Sequence, residues 1–600
     1  MEEIIKQSIS AALAHLYQYD LSPKEIELQP TKKEFEGTFT LITFPLARFS
    51  KQSPEETGKS IGNYLVEKTD HVVAFNTVKG FLNLVLSEAL HLQSFAAAYA
   101  NGDFSKSSLF HINPTDEVVV IEYSSPNTNK PLHLGHLRNN FLGNSVSRLL
   151  EAVGHDVRKV QIINDRGIHI CKSMLAWQKF GHGETPESSG IKGDHLVGKY
   201  YVAFDKAYKE EIKQLIQQGK NQETAEKEAP ILLEAQQMLK KWEAKEPEVY
   251  GLWQQMNGWV YKGFEKTYER MGVDFDHLYY ESDTYLIGKE KVLEGVQKGV
   301  FYTKEDGSVW VDLTDEGLDE KLLLRKDGTS VYMTQDIGTA IKRFEDFPGL
   351  SRQIYTVGNE QEYHFKVLFL ILKKLGFEWA ASCYHLSYGM VDLPTGKMKS
   401  REGTVVDADD LMSEMQNTAK SRTEELGKID GFSEQQAKAL YEQLGLGALK
   451  YFLLKVDPRK SMLFDPAESI EFQGNTGPFI QYTHARISAL LRKADQLGMD
   501  AAAHDWNALK AIHEVEKELI VMLNQYPEKL RLAANGYSPA VLAQYVYDLA
   551  KAYNRFYGEL SVFNEEDDRL QAFRIALSAT VAETIKTGMS LLGIDVPQRM

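Results

Sequence analysis

The sequence predicts a doubly wound α/β core, preceded by a small α+β domain and followed by an all-α region. Strand-like and helical segments alternate between about residues 115 and 400, which is typical of a parallel sheet. Short strand-like pieces follow an amphipathic helix before residue 110, and after about residue 405 the apolar residues recur at helical spacing. We therefore expect domains at residues 1–112, 113–400 and 471–600, with a connecting helical segment at 401–470.

The first domain begins with an apolar stripe at helical spacing, formed by Ile4, Ile5, Ile9, Ala12, Leu13 and Leu16. The strings TFTLITF (38–44) and FLNLVLS (81–87) then indicate strands. In the core, the predicted strands are EVVVIEY (117–123), VRKVQIIN (157–164), RQIYTVG (352–358) and CYHLSYGMV (383–391). The predicted helices include residues 134–153, residues 364–376, an insertion at about 182–250, and the C-terminal string AVLAQYVYDLAKAYNRFYGEL (540–560).

Composition limits the class of protein. The chain has 600 residues and a net charge of −16, which argues against a wholly basic nucleic-acid coat but allows a local basic surface. Its two cysteines, Cys171 and Cys383, lie far apart without a CxxC spacing, so we expect no disulfide framework, no zinc site and a cytoplasmic location. The acidic N-terminus is unlike a signal peptide, and no apolar run has the length of a membrane span.

The string SSPNTNKPLHLGHLRNN (124–140) lies where a buried strand should give way to a helix. In α/β folds this is the position at which helix N-termini bind phosphate. His133 and His136 flank Gly135, which leaves room for a base, and Lys130 adds a positive charge. The pattern suits a nucleoside triphosphate attacked at its α-phosphate, and no GxxxxGK[ST] loop is present. The alternative is that the two histidines merely cap the helix.

A basic string, TGKMKSREGTVV (395–406), follows the last predicted strand of the core. Its functional interpretation is a clamp whose cations meet the charge that develops on departing pyrophosphate. Its alternative interpretation is a solvated basic loop.

These two strings resemble the HIGH and KMSKS motifs of class I aminoacyl-tRNA synthetases. Longer strings resemble the arginyl-tRNA synthetase family: EYSSPNTNKPLHLGHLRN (122–139), LLRKDGTSVYMTQDI (323–337), VGNEQEYHFK (357–366), FQGNTGPFIQYTHARI (472–487), YDLAKAYNRFY (547–557) and LLGIDVPQRM (591–600). The resemblance implies a Rossmann-type catalytic domain, an N-terminal domain that contacts tRNA and a helical anticodon-binding domain. It also implies ATP-dependent attachment of L-arginine to tRNA(Arg) through arginyl-adenylate.

Site residues are carried over from the same resemblance. The arginine-binding set is Glu122, Asn127, Glu281, Tyr332, Asp336 and Gln361, with Glu281 and Asp336 facing the guanidinium and Tyr332 packing on or bonding to the substrate. The ATP-binding set is His133, Gly135, His136, Gly358, Met398, Lys399, Ser400 and Arg401, and the catalytic set is Lys130, His133, His136 and Lys397. The tRNA-binding candidates are Tyr482, His484, Arg486, Asn554, Arg555, Phe556 and Tyr557. The alternatives are surface charges for the carboxylates and bundle packing for the aromatic rings.

Two strings depart from the family pattern. KMKSR has Ser400 where the motif carries its second lysine, so we hypothesise that Lys130 carries the transition-state charge instead. NDRGIH (164–169) lacks the tryptophan that the family more often has after the aspartate, which leaves Arg166 without an assigned role.

We expect ATP with Mg²⁺ as the only cofactor requirement, and tRNA(Arg), L-arginine and ATP as partners of a monomer with no membrane contact. Two other functions stay open from the residues alone. One is a different H-x-G-H enzyme, either another class I synthetase or a small nucleotidyltransferase. The other is a catalytically silent relative that binds RNA or regulates.

Overall fold

Residues 1–99 form an antiparallel sheet covered by helices. The computed structural model describes residues 1–99, 114–394, 406–427, 429–499, 501 and 505–600. In the first part, the sheet order is β1-β2-β4-β3, with β1 Leu28–Pro30, β2 Phe39–Ile42, β3 Val72–Val78 and β4 Phe81–Leu86, and with α1 Glu2–Tyr17, α2 Ala47–Ser50, α3 Pro54–Lys68 and α4 Glu88–Ala98.

The predicted apolar stripe of α1 is confirmed for the residues nearest the sheet. Ile5, Ile9, Ala12 and Leu13 are fully buried, because their spacing places them on one face of the helix. Leu16 is 36 % exposed and Ile4 is only half-buried, so the stripe is narrower than predicted.

A parallel sheet of five strands, in the order β12-β11-β5-β6-β7, forms the core of the next part of the chain. A small antiparallel sheet, β10-β9-β8, lies outside it. The strands are β5 Val118–Glu122, β6 Asp156–Ile163, β7 His277–Tyr280, β8 Tyr302–Thr303, β9 Val309–Val311, β10 Lys321–Leu324, β11 Leu350–Gly358, β12 Cys383–Tyr388 and β13 Val391–Asp392. The helices are α5 Leu134–Ala152, α6 Ile168–Phe180, α7 Pro186–Ser189, α8 Gly193–Gln217, α9 Gln222–Glu228, α10 Pro230–Glu243, α11 Pro247–Met271, α12 Glu281–Gln297, α13 Tyr332–Asp346 and α14 Glu362–Lys374.

Strand β5 is buried on both faces, as its apolar sequence predicts. Ile121 packs with Leu137 of α5, while Val120 packs with Val160 and Tyr279 on the opposite face. The chain leaves β5 for β6 and β7 on one side and returns to β11 and β12 on the other. The strand order therefore reverses beside β5, and a crevice at such a switch point is where α/β sheets bind ligands.

Helices α12 and α13 cross closely because a glycine stands at the contact. A Cβ placed on Gly288 would lie 1.7 Å from the Thr334 carbonyl oxygen, so any larger residue would push the helices apart. This contact sets α13 against α12, and both helices carry predicted arginine-binding residues.

The rest of the described chain is helical, apart from the short strand β14 Met462–Leu463, which pairs with β13. The helices are α15 Ala408–Glu425, α16 Glu434–Leu454, α17 Pro466–Ser469, α18 Gly477–Gln496, α19 Glu514–Asn535, α20 Pro539–Glu559 and α21 Asp568–Leu591. The predicted order of an α+β part, a parallel core and a helical part is confirmed. Within the described ranges, no helix has the length and apolar character needed to cross a membrane.

Candidate active site

The turn between β5 and α5 places two histidines at the N-terminus of α5. His133 is the N-cap residue, and its Nδ1 accepts a hydrogen bond from the Gly135 backbone N–H at 3.2 Å. The His133 backbone N–H donates in turn to His136 Nδ1 at 3.1 Å. Because both Nδ1 atoms accept, a neutral ring in either position carries its proton on Nε2. The histidines thus cap the helix, and capping fixes each Nε2 as a hydrogen-bond donor.

Both imidazoles are uncharged at neutral pH. Burial, with the nearby Lys130 ammonium, lowers the pKa of His133 to about 4. Burial, with His133 and Lys130, holds the pKa of His136 well below its ordinary value. Burial also lowers the pKa of Lys130. At this end of α5 the imidazoles therefore supply hydrogen bonds, and Lys130 supplies positive charge.

Three more predicted residues lie at the carboxyl ends of neighbouring strands. Gly358 is the last residue of β11, and Gln361 is exposed in the single turn that follows it. Asn127 is exposed after β5 and pairs with Asn164 after β6 through an isolated β-bridge. Parallel strands bring these positions to one edge of the sheet, beside the histidine turn.

Glu122, the last residue of β5, is buried rather than a surface charge. One carboxylate oxygen, Oε2, contacts the guanidinium of Arg343, and the other, Oε1, accepts a hydrogen bond from Ser125 Oγ at 3.2 Å. Arg343 was not among the predicted site residues. Its one sequence signal is a charge on the apolar face of α13, in the turn after the buried residues Ile337 and Ala340.

Glu281 is the first residue of α12 and is only 7 % exposed. Burial raises the pKa of its carboxyl to about 7, against the opposing effect of Arg166 and a hydrogen bond with Gln335. Asp165 holds the start of this helix, because it accepts hydrogen bonds from the Ser282 backbone N–H at 2.9 Å and from Ser282 Oγ at 2.8 Å. The fold thus presents Glu281 on a fixed helix end.

Asp336 and Tyr332 share α13, as predicted, but they have different surroundings. Asp336 Oδ2 lies 2.5 Å from Nε2 of His364, a residue of α14 that sequence reasoning missed. Tyr332 begins the helix and is 76 % exposed, so in this structure its ring does not pack against the pocket. The two residues are therefore one helical turn apart on α13, as predicted, but the Tyr332 ring is exposed.

Arg166, which the sequence left without a role, packs against aromatic rings. Its guanidinium carbon lies 3.9 Å from the Tyr285 ring centroid and 5.6 Å from that of Trp242. It therefore stands between α10 and α12, next to Glu281.

The predicted clamp residues Lys397, Met398, Lys399, Ser400 and Arg401 lie outside the described residues. The flanks of that segment are fixed on α5. The Leu134 backbone N–H donates to Val406 O at 3.1 Å, and Arg138 donates to Gly389 O at 2.5 Å and to Lys460 O at 2.8 Å. The helix that carries the two histidines thus also anchors both flanks.

The tRNA-binding candidates divide into exposed and buried groups. The Arg486 guanidinium carbon lies 4.9 Å from the Tyr482 ring centroid and 5.2 Å from that of Tyr557, and Arg486 donates a hydrogen bond to Asn554 Oδ1. Arg555 pairs with two glutamates on the surface of α19 and α20. Tyr557 is 44 % exposed.

Two of these candidates need correction. Phe556 is fully buried, because the helical spacing of α20 places it on the same face as Leu549 and Tyr553. His484 is also buried, and its Nδ1–H donates to Pro597 O at 2.9 Å. Neither ring is available to stack on a base, so the packing interpretation holds for both.

Within the described ranges, one group of side chains lies close enough together to bind a metal ion, and it consists of Asp194, His195 and Asp409. The Lys192 ammonium lies 3.0 Å from Asp194 and 2.6 Å from Asp409. A side-chain cation thus already balances these carboxylates.

Comparisons with known proteins agree with one another along the whole chain. A family model described as "tRNA synthetases class I (R), catalytic domain" matches residues 104–465. Models for an arginyl tRNA synthetase N terminal domain and a DALR anticodon binding domain match residues 3–86 and 480–600.

Curated relatives match over full length. The arginine–tRNA ligase of Flavobacterium psychrophilum is 57 % identical, with 100 % of each chain covered, and that of Bacteroides fragilis is 56 % identical with the same coverage. Among solved structures, the Thermus thermophilus arginyl-tRNA synthetase has a TM-score of 0.76 at 23 % identity, with 100 % of each chain covered, which shows a shared fold. By its sequence matches, the chain belongs to the arginyl-tRNA synthetase family of class I tRNA synthetases.

Proposed function

We propose that this protein attaches L-arginine to tRNA(Arg) in an ATP-dependent reaction that passes through arginyl-adenylate and releases AMP and pyrophosphate. The proposal rests on the positions of two histidines and one glutamate. Two neutral histidines that donate through Nε2 lie at the N-terminus of α5, at the same switch point as Glu122, the last residue of β5. Glu281 and Asp336 on the neighbouring helices α12 and α13 add two more acceptors for a cationic amino acid.

In the first step, a carboxylate oxygen of arginine attacks the α-phosphorus of ATP, and the bond to the bridging oxygen breaks as pyrophosphate leaves. No side-chain nucleophile is needed, because positioning and charge stabilisation account for the catalysis. His133 and His136 donate hydrogen bonds to phosphate oxygens, and Lys130 offsets the negative charge that builds up. Gly135 and Gly358 leave room for the nucleotide, and the segment from Lys397 to Arg401 acts on the departing pyrophosphate.

In the second step, the 2′-hydroxyl of the terminal adenosine of tRNA attacks the carbonyl carbon of the adenylate. The hydroxyl proton is lost, an ester forms, and AMP leaves. On the helical surface of α18 and α20, we propose that Arg486, Tyr482 and Tyr557 contact the tRNA, with Asn554 and Arg555 beside them. A cation between aromatic rings suits unpaired bases, which stack on flat side chains.

Recognition of arginine rests on the acceptors that face a planar, five-donor guanidinium. Glu281 and Asp336 take that part, with Tyr332 closing over the substrate, while Glu122, Asn127 and Gln361 hold its ammonium and carboxylate. Lysine and glutamine lack this donor geometry, and binding either would leave a buried carboxylate poorly matched.

Magnesium fits this site as a companion of ATP. His133 and His136 carry their protons on Nε2, so these two nitrogens would donate to phosphate oxygens and would not ligate the ion. The ion would bind phosphate oxygens and offset part of their charge. We further propose that the protein is a cytoplasmic monomer with domains at residues 1–112, 113–400 and 471–600, joined by a helical segment at 401–470. We also propose that it binds no zinc. The two cysteines, which are both free, support the cytoplasmic location and the lack of a zinc site.

The test is attachment of radiolabelled arginine to total tRNA with ATP and Mg²⁺, beside lysine, glutamine and glutamate. Arginine alone should be attached, and His136→Ala should abolish the signal. His133→Ala should do the same, and His513→Ala is its matched control, because His513 caps α19 through its Nδ1 as His133 caps α5, away from the site. If the wild-type protein binds tRNA but attaches nothing, a silent RNA-binding role replaces this function.

A further inference from the structure

Arg343 is a buried cation that contacts the carboxylate of Glu122. It lies on α13, seven residues after Asp336, and is fully buried. Its guanidinium carbon lies 5.1 Å from the Tyr279 ring centroid and 5.6 Å from that of Tyr355, within the range of cation–π contacts. Among the described residues, Glu122 is the carboxylate that contacts it.

The two oxygens of Glu122 face different ways. Oε2 contacts Arg343 inside the sheet–helix interface, whereas Oε1 accepts the Ser125 hydroxyl hydrogen at 3.2 Å, in the turn that leads to the histidines. Glu122 is 6 % exposed, so its charge is almost withdrawn from water. A carboxylate in that position needs a cation and hydrogen bonds to compensate for the lost hydration.

Arg343 shares its helix with Asp336, a residue proposed to bind the substrate. Arg343 and Asp336 belong to one rigid helix, about 10 Å apart along its axis by the rise of 1.5 Å per residue. The same element therefore carries the acceptor for the substrate's guanidinium and the cation that holds Glu122. The distance between the two ends of the arginine pocket is fixed by α13.

We infer that Arg343 is a positioning residue for arginine recognition, which holds Oε2 of Glu122 and so turns Oε1 towards the α-ammonium group of the substrate. The inference rests on the proposed function and adds to it a residue that does not itself touch the substrate. Without Arg343, Glu122 would lose the contact that holds Oε2, and Oε1 would no longer be held towards the ammonium group, even if the fold survived.

The experiment compares Arg343→Met, Glu122→Gln and the double variant Glu122→Gln/Arg343→Met. Initial rates of arginine attachment give KM for arginine and for ATP, and calorimetry gives Tm. Each single variant leaves one buried charge unpaired, and the double variant leaves none, so the double variant should regain most of the lost Tm. KM for arginine should nevertheless stay raised about tenfold or more in the double variant, because a charge-assisted contact is gone, while KM for ATP changes little.

A second buried pair in the chain provides the control. Nε of Arg574, on α21, lies 2.7 Å from Oε1 of Glu516, on α19. Glu516 is fully buried and Arg574 is nearly so. The double variant Glu516→Gln/Arg574→Met should lower Tm, because it removes a buried contact between two helices, and should leave KM for arginine unchanged. Arg343→Lys keeps a cation beside Glu122 and should bring KM for arginine back towards the wild-type value.

Two results would overturn the inference. One is a double variant that regains both Tm and the wild-type KM for arginine, which would make the pair purely structural. The other is an Arg343→Met protein with an unchanged KM for arginine. A failure of the proposed function is separate from both, because it would appear in the wild-type protein as no attachment of arginine.

Discussion

Replacing Glu281 with glutamine removes an ionisable group that the fold buries at the first residue of α12. Burial raises the pKa of this carboxyl from 4.5 to about 7, which corresponds to about 3 kcal/mol of unfavourable ionisation in the folded state. The amide is isosteric and cannot ionise. Glu281→Gln should therefore stabilise the protein, although it removes an acceptor proposed for the substrate's guanidinium.

The sign of the pH dependence follows from the raised pKa. Below the unfolded value of 4.5, the carboxyl is protonated in both states and contributes nothing. As pH rises from there to about 7, the unfolded state ionises and the folded state does not, so the wild-type protein loses stability relative to the variant. The gain from Glu281→Gln should thus be near zero at pH 4.5, and should reach its full size, about 3 kcal/mol, above pH 7.

Urea unfolding of both proteins at pH 5 and pH 8 measures this difference directly. Glu210→Gln on the exposed surface of α8 is the control and should show no such pH-dependent gain. In parallel, KM for arginine in the wild-type protein should rise as pH falls below about 7, because the protonated carboxyl no longer attracts the guanidinium. An equal gain in stability at both pH values would refute the reasoning.

Three further variants test other parts of the site. Lys130→Ala should slow adenylate formation by about 10²-fold or more, because it removes the cation at the histidine turn. Lys199→Ala, on the surface, should not slow this step. An unchanged rate of arginine-dependent pyrophosphate exchange in Lys130→Ala, measured with tRNA present, would exclude the role of Lys130. Arg138→Met should lower the free energy of unfolding by about 3 kcal/mol, because buried carbonyls of two segments lose their donor, and urea unfolding without a measurable loss would contradict that account. Arg486→Ala should weaken tRNA binding by about tenfold and reduce the slope of log Kd against log salt by about 1, with KM for arginine unchanged; equal salt slopes for wild type and variant would remove Arg486 from the interface.

Local patterns were sufficient for much of the fold. The apolar run of β5 and the helical spacing after Leu134 predicted the strand, the turn and the helix that carry His133 and His136, because both patterns express the periodicity of a single element. The strand ending at Gly358 and the helix α20 were predicted for the same reason, whereas the strand predicted to run to residue 391 ends at Tyr388. The carboxylates were found by resemblance to a family rather than by their spacing.

Contacts between distant residues were not predictable in this way. Phe556 and His484 were candidates for RNA binding until the packing of the bundle showed that both are buried. The partners Arg343 for Glu122 and His364 for Asp336 carry no local signal beyond a charge on an apolar face or in a polar string.

By itself, the sequence determined which elements form, where the histidine turn lies and which family the motifs resemble, because these depend on residues close together in the chain. Only the tertiary structure decided which carboxylates are buried and which cation holds Glu122. Burial and ion pairing depend on elements that only folding brings together, and Glu122 of β5 and Arg343 of α13 are more than 200 residues apart in the chain.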